Sequence, residues 1–209
     1  MTNEDYNKYI ILILCFIPVL YIWALPLLSK INFSEDGCYY GIQAQNEKDK
    51  DYCQLGHSIS AYISNPQATG AMAFVFSFPI IIMWLYKPPE IYIAPLSIFT
   101  VFFGLFLIFS VTFNIYAHLI TVFIFCFAAI FHFILFAISP CVKIHRIYGF
   151  LIFVSIVCFV ALIILGIIFM KHINKQDKPL KNTYWVWIFE CIGLSSLILF
   201  TPIYLLKNK

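Results

Sequence analysis

Long apolar stretches alternate with short polar ones along the chain, and that pattern predicts six helices. The runs cover residues 10–28, 67–86, 92–113, 118–138, 147–170 and 184–206. Each approaches the ~20 residues that an α-helix needs to cross about 30 Å of hydrocarbon. The second run is continuously apolar only from Ala71, so its helix is expected to start near Pro66 or Gln67. Membrane β-strands would show alternating segments of ~10 residues, whereas residues 151–170 are interrupted by nothing polar except Ser155. The fold class read from the pattern is therefore all-α, a polytopic bundle of six transmembrane helices forming a single domain over 1–209.

Composition agrees. The 209 residues are 62% hydrophobic and 11% charged, with a mean hydropathy of +0.90. A soluble domain carries about 25% charged residues, so a water-soluble globule and a disordered chain are both excluded. The net charge of +3 is spread over the chain ends and several loops. It forms no basic footprint, and no nucleic-acid partner is expected. The first run is too long for a signal-peptide core and lacks a small-residue cleavage site after Leu28, so it reads as an uncleaved span.

An even number of spans puts both termini on one side. Lys8, Lys87, Lys143, Arg146, Lys207 and Lys209 lie on that side, against Lys30, Lys48, Lys50, Lys171, Lys175, Lys178 and Lys181 on the other, so positive charge does not orient the chain. The long first loop, 29–65, supplies the orientation. It holds Cys38 and Cys53, the spacing of a disulfide-closed loop; the sequon Asn32-Phe33-Ser34 in the same loop lies too close to the end of the first span to add to this. The expectation is cytoplasmic termini, in a plasma membrane or endomembrane, with loop 29–65 as an extracytoplasmic cap. Cys15, Cys126, Cys158 and Cys191 fall inside spans and read as packing residues.

Ionisable groups inside a bilayer are costly, which makes each a functional candidate. Glu190 lies six residues into the sixth run, His118 opens the fourth, and His132 follows further along it. Spans two, four and six all begin on the loop-1 side, so Ser58, Ser60 and Tyr62, His118, and Glu190 approach one another in depth. His132, about 21 Å along the helix from His118, belongs to the other leaflet. Ser60, His118 and Glu190 would suit acyl transfer, with the histidine as base and the carboxylate orienting it. A metal reading would recruit His57, His118 and Glu190. No Gly-x-Ser-x-Gly, His-Glu-x-x-His or voltage-sensing arginine series is present, and no interrupted-helix repeat is evident.

Ser58-Ile59-Ser60-Ala61-Tyr62 before the second run, His118 opening the fourth, Arg146 before the fifth and Glu190 after Trp185 and Trp187 form a recurring order. It resembles a family of uncharacterised six-span bacterial membrane proteins with a Ser-Ile-Ser-x-Tyr signature. More distantly it is similar to the damage-regulated autophagy modulator (DRAM) proteins, which also have six spans and cytoplasmic termini. The resemblance runs from about Ser58 to Leu206, and it marks Ser58, Ser60, Tyr62, His118, Arg146 and Glu190. An acid soon after the Tyr is replaced here by Asn65-Pro66-Gln67, and the Pro-Glu of DRAM relatives is absent from that place. DRAM relatives imply an endomembrane location and a regulatory role.

The leading function is a non-catalytic protein that binds a lipid, a small ligand or a partner in an outer-leaflet cavity lined by Ser58, Ser60, Tyr62, His118 and Glu190. A channel or transporter for a small solute, ion or proton is the first alternative. A membrane hydrolase using Ser60, His118 and Glu190 is the second. No cofactor and no metal are expected, and the partners are membrane lipids, with a protein partner or a second copy as the other class.

Overall fold

The computed structural model of the chain describes residues 3–28, 58–63, 66–86, 93–109, 114–139, 146–175 and 184–207. They form α1 (Asn3–Leu28), α2 (Ile59–Tyr62), α3 (Pro66–Leu85), α4 (Ile93–Ile108), α5 (Ile115–Ile138), α6 (Arg146–Lys175) and α7 (Tyr184–Lys207), with no strand among the described residues. Cys38, Cys53, Asn32 and His57 lie outside the described residues.

Five helices, α1, α3, α5, α6 and α7, are long and apolar enough to cross a membrane. They make this a multi-pass membrane protein. The third expected span departs from the reading: 92–113 contains a helix of only 16 residues, Ile93–Ile108. At 1.5 Å per residue it is about 24 Å long, short of the hydrocarbon thickness. Asn114 explains the difference. It caps α5, with its side chain accepting from the Ala117 N–H at 3.0 Å, so α5 starts at Ile115, while α4 ends at Ile108 inside the same apolar run. Apolarity alone cannot mark where such a run stops being helical.

The long helices follow one another around a ring in chain order, α1 beside α3, then α4, α5, α6 and α7, and α7 closes back onto α1. The α2 end of this ring is well defined. Thr69 near the start of α3 bonds to the Ile63 carbonyl, and His118 near the start of α5 bonds to Ser60. Cys191 near the start of α7 contacts the carbonyl of Ile22, late in α1. Phe109, just past α4, accepts from His118, so α4 returns the chain to the same end.

Side chains sort by helical period. On α1, Cys15, Pro18, Val19, Ile22 and Leu25 are buried, while Ile13, Phe16, Leu20 and Leu27 face outward. Outward apolar residues are what a helix in lipid requires, and burial between helices then gains packing rather than dehydration. The half of the ring away from α2 is filled by Phe133, Phe136, Tyr148, Phe200 and Tyr204, whose rings meet mostly edge to face. His132 lies there, edge-on to Phe133 and Phe136.

The α6–α7 contact depends on a glycine. A Cβ on Gly193 would stand 3.1 Å from the Cβ of Cys158, an atom fixed to the α6 backbone. Gly193→Leu should therefore push the two helices apart and cost ~1–3 kcal/mol through overpacking, read as a lower thermal midpoint in detergent. Gly70, in α3, is the control, because a Cβ there would meet nothing within 4 Å. Gly70→Ala should leave the midpoint unchanged or raise it, since alanine is the better helix former. Equal losses at both positions would mean that the close approach does not exist.

Candidate functional site

Four residues cannot hold a helix by propensity, since nucleation fixes several dihedrals for one hydrogen bond. The α2 turn is made by its surroundings. Ser58 caps it, its Oγ accepting from the Ala61 N–H at 3.1 Å, and Ser58 through Ile63 are all buried. Glu190 Oε2 accepts from the Ile59 N–H at 2.5 Å, and Thr69 donates to the Ile63 carbonyl at 2.5 Å. Tyr62 meets Trp187 edge to face, with centroids 6.4 Å apart. Trp187 in turn donates to the Ile22 carbonyl at 3.3 Å and packs against Trp23. The segment thus sits as a plug on α1, α3, α5 and α7.

His118 lies in the first turn of α5, its N–H bonded to the Asn114 carbonyl. Its ring is buried and lies 4.9 Å from that of Phe106. Nδ1 is 2.7 Å from the Phe109 carbonyl, and Nε2 is 2.8 Å from Ser60 Oγ. A carbonyl only accepts, so Nδ1 carries a proton and donates it there. In the neutral ring Nε2 is then the acceptor, and the Ser60 hydroxyl donates to it.

These groups border a cavity of about 50 Å³ between α5, α6 and α7, with α2 at one end. Among the described residues, its polar lining is Ser58, Ser60, His118 and Glu190, with no Lys or Arg. The walls are apolar: Leu119, Val122 and Phe123 from α5, and Leu162, Ile163 and Gly166 from α6, with Cys126 and Phe159 deeper. His118 and Cys126 are eight residues apart, so the cavity runs about 12 Å along α5. One liquid water takes ~30 Å³, so the space holds a small polar group or a short piece of hydrocarbon. Among the described residues, the second oxygen of Glu190 has no hydrogen bond.

Of the residues singled out from sequence, Ser58, Ser60, His118 and Glu190 meet at this cavity. Tyr62 does not line it and packs on Trp187 instead. Arg146 starts α6 at the opposite end of the ring and is exposed. The expected Ser–His–carboxylate chain is not formed, because the Phe109 carbonyl orients His118 and Glu190 holds the Ile59 amide. Phe109, Phe123 and Gly166 escaped the sequence reading, since a backbone acceptor and apolar wall residues look like any others in a span. Among the described residues, no three His, Cys, Asp or Glu side chains gather to hold a metal ion. No protein-family profile, curated protein or solved structure matches the chain.

Proposed function

We propose that an amphipathic lipid docks at this cavity, a small polar group of its head entering the space against Ser58 and Glu190 while most of its hydrocarbon lies outside the enclosed volume, along the seam of α5 and α6. The observation that carries the reading is the division of one cavity into a carboxyl- and hydroxyl-lined end and an apolar remainder. The lining also selects the head group. Among the described residues the lining offers a carboxyl open to the space and no cationic side chain, which disfavours an anionic phosphate. A hydroxyl- or amine-bearing head group supplies the donors that Glu190 lacks. Among the described residues the other half, around His132, is filled mainly by aromatic side chains, which favours binding over conduction.

Six crossings belong to the same proposal. The supporting observation is that α4, though short, leads from the far end of α3 back to the α2 end beside α5. The expected cytoplasmic termini would place α2 and the head-group end in the outer leaflet. Kinship with the Ser-Ile-Ser-x-Tyr family is also part of it, supported by Ser58–Tyr62 acting as one buried unit.

Native mass spectrometry of the detergent-purified protein tests the reading. The wild type should retain a lipid adduct. Gly166→Leu should lose most of it, because a Cβ there already comes within 3.1 Å of the Phe123 ring and a longer side chain fills the cavity. Phe123 can swing aside, so this variant should keep its thermal midpoint within a few degrees. A bare wild-type chain, or equal retention in both, would remove the cavity as the binding site.

A further inference from the structure

The seam between the polar and apolar parts of the cavity holds a nucleophile and a base already in contact. We infer that Ser60 is an acyl-accepting nucleophile, activated by His118, toward the ester of a lipid bound in this cavity. The inference rests on the lipid-binding reading and adds a reaction to it.

Three observations carry it. Ser60 Oγ and His118 Nε2 are 2.8 Å apart, within the 2.6–3.2 Å over which a base can take the proton. The Phe109 carbonyl, 2.7 Å from Nδ1, leaves Nε2 as the basic nitrogen and fixes the ring plane, the orienting task that a third group performs in hydroxyl–imidazole nucleophiles. Both side chains border a cavity whose neighbouring wall, Leu119 and Val122, suits an acyl chain. An ester carbonyl lies between head group and chain, so a lipid seated as proposed brings that carbon to the level of Ser60. A purely structural contact between α2 and α5 would gain nothing from access to this cavity.

The step balances with the groups present and an acyl ester. Ser60 Oγ bonds to the carbonyl carbon as its proton passes to His118 Nε2. The ester C–O bond then breaks, and the departing alkoxide takes the proton from Nε2. The products are an acyl-Ser60 and a free alcohol. Water, or the hydroxyl of a second lipid, loses its proton to His118, attacks the acyl carbon and restores Ser60. No oxidant or reductant is involved.

A long-chain alkyl fluorophosphonate reads the nucleophile directly, because attack on phosphorus expels fluoride and leaves a stable adduct. Incubated with the detergent-purified wild type, it should add one equivalent, located on Ser60 by peptide mass mapping. Ser60→Ala should abolish that adduct, and His118→Ala should slow its formation at least 100-fold while the probe is in excess. A wild type that keeps its lipid yet forms no adduct overturns the nucleophile and spares the binding site. A wild type with neither lipid nor adduct overturns both. An adduct confined to another serine also overturns the assignment. The wild-type map decides these outcomes even where a variant fails to fold.

Discussion

Phe200→Ala should lower the stability of the bundle by ~3 kcal/mol, at the low end of the range for deleting a buried phenylalanine. Phe200 is 2% exposed, and its ring centroid lies 4.7 Å from that of Phe133, 5.1 Å from Phe136 and 5.7 Å from Tyr148. In water such a deletion loses both transfer and packing energy. In a bilayer the separated helices keep their side chains in hydrocarbon, so the transfer part is small and the lost contacts dominate. At roughly 2–4 °C per kcal/mol for a chain of this size, the thermal midpoint should fall by about 6–12 °C. The buried thiols of Cys15, Cys126, Cys158 and Cys191 provide the readout, through their reaction with a maleimide dye as the bundle opens. Phe200→Leu should lose about half as much. A shift below ~2 °C for the alanine variant would mean that these rings do not form a packed unit.

The second large effect concerns Glu190, and its size depends on the replacement. Leucine removes the acceptor of the Ile59 N–H and leaves that amide buried with nothing in its place, which costs ~1–3 kcal/mol. Glutamine keeps an acceptor oxygen at nearly the same position, so its cost should be under ~1 kcal/mol. The loss should be local, because α2 is held from outside itself while the long helices hold one another. Hydrogen exchange resolves this. In Glu190→Leu the Ile59 amide should exchange ~10–100-fold faster, and α3 and α5 should stay protected. Uniform protection in both variants would show that the carboxyl does not anchor α2.

Most of the helices were legible because a membrane demands long apolar runs, and little else satisfies a backbone there. The start of α3 at Pro66 and the limits of α7 fall within a residue or so of the apolar boundaries. The approach of Ser60, His118 and Glu190 was legible for a topological reason, since spans two, four and six must begin on one side. Distances of closest approach were not. The carboxyl pairs with a backbone N–H, and the imidazole with a backbone carbonyl, and every residue but proline carries both groups. The α2 turn was illegible for a related cause. Its two local backbone bonds would not hold it alone, the bonds that anchor it to Glu190, Thr69 and His118 are tertiary, and Ser58 as its cap is the sole local sign. Tyr62 misled because its ring completes a stack with Trp187 that only the folded chain brings together.

The order of helices around the ring bears on how the protein is made. Each long helix finds one neighbour as soon as the next is inserted, but α1 waits for its second, α7, which comes after all the others. Until then the carbonyl of Ile22 lacks its contacts with Trp187 and Cys191, and the α2 segment lacks Glu190. A nascent chain that has emerged only as far as α6 has its serine and histidine but no carboxyl, and one wall of the cavity is open to lipid. On the proposed reading, lipid capture needs α7, so a chain truncated after α6 should retain no lipid adduct.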